Sequence, residues 1–145
     1  MLEKIINGIS NKIYEVFGDN YKIYADNNVK QGLKNPCFFI SVLNPSQKTY
    51  LKGRYLKYYP FVIQYFPKTD NDNFELLSVG EKLTSELEYI TLENSDSLKG
   101  INLSYEIVDG ILNFKINYNV FIQKINKLDE MENLTSETKL IKGVY

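Results

Sequence analysis

Lys48, Tyr50, Lys52, Arg54, Tyr55, Lys57, Tyr58 and Tyr59 fall close together and interleave cations with aromatic rings. Such a run can pair with phosphates and stack on bases, which is the chemistry of single-stranded nucleic-acid binding. It can also meet an acidic protein surface, or simply form a solvated loop and sheet edge. Dedicated nucleic-acid binders are basic overall, whereas this chain has a pI near 5.5 and a net charge of −1. The charge balance therefore favours the protein contact over the nucleic acid.

The basic run belongs to a larger pattern. Residues 27–69 contain no acid and seven bases: Lys30, Lys34, Lys48, Lys52, Arg54, Lys57 and Lys68. From Asp70 to Asp109 there are ten acids and two bases, Lys82 and Lys99. A block of +7 precedes a block of −8, so the chain is electrically two-sided. It can bind a polyanion with one side or another copy of itself head to tail.

The remaining chemistry is sparse. Histidine is absent, which removes the commonest general base near neutral pH and the commonest metal ligand. Triads built on Ser-His-Asp or Cys-His cannot form within one subunit. Cys37 is the single cysteine, so neither an internal disulfide nor a His/Cys zinc site is available. Its neighbours Phe38 and Phe39 mark a buried core thiol rather than a nucleophile. Neither a Walker-type loop nor a spaced triple glycine occurs, and Lys52-Gly53-Arg54 reads as a basic turn. Asp70-Asn71-Asp72-Asn73 resembles the start of a calcium loop but lacks its sixth-position glycine and twelfth-position glutamate, so it reads as a helix cap. Glu86 and Glu88 are two apart on an expected helix and point in different directions. No catalytic residue, metal site or cofactor is expected.

The elements that must position the basic run follow from hydrophobic spacing. Leu2, Ile5, Ile6, Ile9, Ile13, Val16 and Phe17 form one face of an amphipathic helix that Gly18 stops. Its polar face is neutral, which does not suit an anionic membrane surface. Lys4 and Lys12 interrupt its apolar residues, so no signal-peptide core is expected, and no run is long enough to span a bilayer.

Tyr21–Ala25 and Cys37–Leu43 read as strands, separated by a polar loop over Asp26–Pro36. Asn44-Pro45-Ser46 is a break. Tyr55–Phe66 has strand composition with Pro60 inside, which predicts an edge, bulge or bend there. A second helix is expected from the caps at Asp70, Asn71 and Asp72 to about Ile90, with Leu76, Gly80, Leu83, Leu87 and Ile90 as its buried stripe. Gly80 on that stripe marks a close approach to the sheet. Ile101–Ile107 and Leu112–Ile122 alternate apolar with polar about Asp109-Gly110, the signature of a hairpin with a type I′ turn.

These elements give an α+β fold: a mostly antiparallel sheet with two helices packed on one face, ending in a β-hairpin. One domain is expected over residues 1–125, with a polar C-terminal tail over 126–145 that orders on assembly. The acids of 129–132, the polar run 135–138 and the apolar Leu140, Ile141, Val144 and Tyr145 fall in that tail.

The opening helix Leu2–Phe17, the stretch Asn35-Pro36-Cys37-Phe38-Phe39-Ile40 and the stretch from Tyr58 to Pro67 (Tyr-Tyr-Pro-Phe-Val-Ile-Gln-Tyr-Phe-Pro) resemble a known family. It is the tail terminator, or tail completion, family of bacteriophages and of phage-derived tail-like particles from Gram-positive bacteria. The resemblance covers about residues 1–125 and includes no catalytic motif. It implies a homo-oligomeric, hexameric ring at the head-proximal end of the tail tube, which stops tube polymerisation and offers a docking face to the head-tail connector protein. The implied partners are other copies of the chain, the tube protein, the connector and, in a contractile tail, the sheath protein. DNA is only passing cargo, and no membrane is involved. The implied location is the neck of a virion or tail-like particle assembled in the host cytoplasm.

Lys48, Tyr50, Lys52, Arg54, Tyr55 and Lys57 are then the candidate subunit or partner contact. The same residues can also face the tube or the lumen. The other readings are a different neck component, such as an adaptor or sheath-capping protein, and a small single-stranded nucleic-acid binder.

Overall fold

The computed structural model describes residues 1–25, 36–69, 73–126 and 136–141, with side chains described as far as Gln123. Ten elements follow one another: α1 (Leu2–Phe17), β1 (Lys22–Ala25), β2 (Cys37–Val42), β3 (Ser46–Thr49), β4 (Arg54–Phe66), α2 (Asn73–Glu86), β5 (Tyr89–Thr91), β6 (Ser97–Val108), β7 (Ile111–Asn126) and β8 (Ser136–Ile141). The expected loop over 26–35, the caps at Asp70, Asn71 and Asp72, and tail residues 127–135 and 142–145 lie outside the described residues. No helix among the described residues is long and apolar enough to cross a membrane.

The strands form one sheet in the order β1-β2-β4-β7-β6-β5, with β3 also beside β4 and β8 also beside β7. Only β1 and β2 run parallel; every other pair is antiparallel. This is the expected α+β class. Its spine is the β4–β7 pair, in register from Arg54 opposite Gln123 to Tyr65 opposite Leu112. Thirteen residues of β4 make a spine roughly 40 Å long at the rise of an extended strand. β8 falls inside the stretch read as a polar tail and continues the sheet beside the C-terminal half of β7.

Alternation along the spine sorts its side chains. Tyr59, Phe61, Ile63 and Tyr65 of β4 join Leu112, Phe114, Ile116, Tyr118, Val120 and Ile122 of β7 on the inner face. They share one core with Ile5, Ile9 and Ile13 of α1 and Leu76, Val79 and Leu83 of α2. Aromatic rings tie the layers at α1's end, where Phe38 lies 5.0 Å from Phe17 and 4.9 Å from Tyr65. Gly80 makes the expected close approach: a Cβ there would lie 2.6 Å from the Tyr105 ring. Cys37 is fully buried, and burial raises its thiol pKa.

Several elements differ from their expected form. The second helix ends at Glu86 rather than near Ile90, because the carbonyls past its end are taken by the sheet. Leu87 O accepts from Tyr118 Oη at 2.6 Å, and Glu88 O accepts from the Gly100 amide at 2.6 Å. Leu87 and Ile90 keep their helical spacing and stay buried, yet Ile90 does so in a strand.

Pro60 causes no irregularity in its ladder with β7, where it pairs with Asn117. The break lies in the neighbour on its other side, between β2 and β3. There the Pro60 carbonyl accepts from the Leu43 amide at 2.7 Å, and the missing N–H faces the chain break. The simple alternation expected from Ile101 to Ile107 is also interrupted. The register slips between Ile101 and Ser104, around Asn102 at φ 56°, so Ile101 falls on the opposite face from Tyr105.

Candidate functional site

The basic run is built as a hairpin at one end of the spine. β3 pairs with the start of β4, with Gln47 opposite Lys57, Lys48 opposite Leu56 and Thr49 opposite Tyr55. Ser46–Thr49 are all exposed, which is why a strand there left no apolar signature in the sequence. Lys52 (φ 43°) and Gly53 (φ 74°) make the turn, with the Arg54 amide donating to Leu51 O at 3.2 Å. Two successive positive φ values are what a type I′ turn demands, and Gly53 adopts one at no steric cost.

The six candidate contact residues do not form a single patch. Alternation puts Lys48, Tyr50 and Arg54 on the outer face, with Leu56 and Phe121. Tyr55 and Lys57 lie on the inner face, opposite Ile122 and Val120. Lys52 occupies the turn itself. The outer-face group is organised: Lys48 Nζ sits 5.6 Å from the centre of the Tyr50 ring, and that ring lies 5.5 Å from Phe121. Tyr50, Leu51, Arg54 and Phe121 surround a hollow of about 160 Å³. Leu51 at its rim is 82% exposed. Phe121 and Leu51 were not among the residues singled out from sequence. Phe121 stands between Val120 and Ile122 and Leu51 between Tyr50 and Lys52, and only the register shows that one lines a hollow and the other projects.

Three acids of the acidic block, Glu75, Glu106 and Asp109, lie at the other end of the spine, whereas Glu93 and Asp96 precede β6 at its far end from the Asp109-Gly110 turn. The Asp109-Gly110 turn lies just beyond the Tyr65–Leu112 pair, with Glu106 on β6 beside it. α2 begins at the same end. Its Glu75 carboxylate accepts from the Tyr65 hydroxyl and, at 3.2 Å, from the Lys68 amide, which fixes the helix start to the end of β4. Burial first, and then Glu75, raise the pKa of the Tyr65 phenol well above its ordinary value. The basic tip with Lys48, Lys52 and Arg54 and the acids Glu75, Glu106 and Asp109 thus lie at opposite ends of one strand pair. Among the described residues no cluster of three carboxylate or cysteine side chains is placed to hold a metal ion.

A family described as phage tail terminator protein matches residues 4–130. The chain belongs to the phage tail terminator protein family. The match spans α1 through β7 and takes in both charged ends. No match to an individual curated protein accompanies it. That family is one of structural phage tail proteins.

Proposed function

We propose that this tail terminator assembles into a closed homo-oligomeric ring, a hexamer, on the head-proximal end of the tail tube. The ring stops tube polymerisation and presents the docking surface for the head-tail connector, and DNA passes through it as cargo. The observation that carries this reading is the placement of the basic tip (Lys48, Lys52, Arg54) and of Glu75, Glu106 and Asp109 at opposite ends of the spine. A ring needs a heterologous interface, in which one patch meets a different patch. A basic end and an acidic end on one rigid strand pair supply complementary patches that cannot meet within one copy. Residues 1–125 act as the ring-forming domain, and 126–145 as a tail of which β8 already joins the sheet and the rest orders on assembly.

The test is electron microscopy of tails assembled without this protein. Abnormally long tubes are expected. Tubes of normal length that lack heads would instead identify a connector or adaptor. The hairpin's part is tested by the double variant Lys52→Glu/Arg54→Glu. Its mass in light scattering should fall below that of the wild type, most clearly at low salt. Equal mass and equal capping at low and high salt would remove the basic hairpin from the interface.

A further inference from the structure

Phe74 is 87% exposed on the first turn of α2, and Leu77, one turn on, is 47% exposed. A large apolar side chain that bare on a helix surface is an anchor without a socket. Glu81 continues the same stripe at the next turn and is exposed. The single base of α2, Lys82, is turned elsewhere: its Nζ lies 5.2 Å from the centre of the Phe17 ring on α1. The stripe is therefore apolar and acidic.

The hollow at the basic tip has the opposite character. Its walls are the Tyr50 and Phe121 rings and the Arg54 side chain, and no acid occurs between residues 27 and 69. At about 160 Å³ it is close to the size of an engineered cavity, about 150 Å³, that binds benzene. One phenyl ring fits such a volume. Aromatic walls and a guanidinium are also the surroundings a phenyl ring prefers.

We infer that Phe74 of one copy seats in the Tyr50–Leu51–Arg54–Phe121 hollow of the next, with Leu77 against Leu51 and Glu81 towards the tip cations. This contact rests on the ring reading and names the two surfaces that make it. Phe74 and the hollow lie at opposite ends of β4, roughly 40 Å apart along the strand. No single chain can bring them together. Each copy offers one anchor and one socket, so the contact propagates head to tail and closes only as a ring.

Disulfide trapping in mixed copies tests it. Leu51→Cys protein mixed with Phe74→Cys protein under mild oxidation should give a covalent dimer. Either variant alone should stay uncrosslinked, since buried Cys37 is common to both. The double variant should give a ladder of covalent oligomers. In parallel, Phe74→Asp should weaken self-association at least tenfold while circular dichroism stays unchanged, and Arg54→Glu should be rescued in part by Glu81→Arg. A wild type that forms rings, with no mixed crosslink and with Phe74→Asp rings intact, would overturn this contact and leave the ring reading standing. A wild type that stays monomeric at every concentration would overturn both.

Discussion

The β3–β4 and β6–β7 hairpins turn through the same backbone and end in opposite environments. Lys52 and Gly53 have φ of 43° and 74°; Asp109 and Gly110 have φ of 53° and 74°. Both turns join antiparallel strands on the β4–β7 spine, one at each end. The β6–β7 hairpin feeds the core: Tyr105 covers Gly80 of α2, and Phe114, Ile116 and Tyr118 are fully buried. The β3–β4 hairpin spends its residues on surface, with four exposed positions in β3 and Leu51 at the tip. The same pair of positive φ values therefore serves a buried hairpin at one end and an exposed one at the other. Side chains, not backbone, decide which.

The division predicts a large asymmetry in stability. Phe114 is fully buried between β4 and β6, and truncation to alanine should cost about 3–5 kcal/mol in chemical denaturation. Leu51→Ala at the tip should stay within about 0.5 kcal/mol of wild type, measured at a concentration where the protein is monomeric. A comparable loss at Leu51 would mean that the tip is part of the folding core, and the comparison would fail.

The two hairpins also differed in how far the sequence disclosed them. Asp109-Gly110 between alternating strands is a strong hairpin signal, and Ile111–Asn126 confirms it with even positions buried from Leu112 to Ile122. Ser46–Thr49 offers no alternation because neither of its faces is buried, so β3 was read as a break. Leu87 and Ile90 misled in the other direction. Their three-four spacing continues the α2 stripe, yet hydrogen bonds from Tyr118 and Gly100 draw that segment into the sheet. At the candidate site the charge blocks were plain in composition. That the basic tip and Glu75, Glu106 and Asp109 lie at opposite ends of one spine was not, since it depends on the pairing of β4 with β7. The split of Lys48, Tyr50 and Arg54 from Tyr55 and Lys57 likewise depends on register, which a local sequence does not state.

A middle-sized effect is expected at Tyr118, on the core-facing side of β7. Its hydroxyl donates to Leu87 O, and burial raises the phenol pKa well above its ordinary value. Tyr118→Phe leaves that carbonyl without its donor and should cost about 1–3 kcal/mol. The pH dependence carries a sign. The unfolded chain releases the phenol proton near pH 10, while the folded chain holds it to higher pH. The stability tied to the proton is complete below about pH 10 and is lost as pH rises beyond it. Wild type should therefore lose stability in alkali more steeply than Tyr118→Phe. Parallel curves would show that Tyr118 is not the group responsible.

The smallest effects test the turns themselves. Alanine at a positive φ is strained by roughly 1–2 kcal/mol, and both Gly53 and Gly110 sit at φ 74°. The intrinsic strain should thus be equal, but its consequence should not. Gly110 closes a hairpin whose strands are buried, so Gly110→Ala should lower global stability by about the full strain. Gly53 closes a hairpin whose outer strand is exposed, so Gly53→Ala can relieve its strain by fraying the tip. Its global loss should stay under about 1 kcal/mol, with faster amide exchange confined to Tyr50 and Arg54. If instead Gly53→Ala leaves amide exchange at Tyr50 and Arg54 unchanged and lowers global stability as much as Gly110→Ala, the basic tip is as firmly held as the acidic one. A firmly held tip would act as a preformed socket, whereas a fraying one must be ordered by the partner it meets.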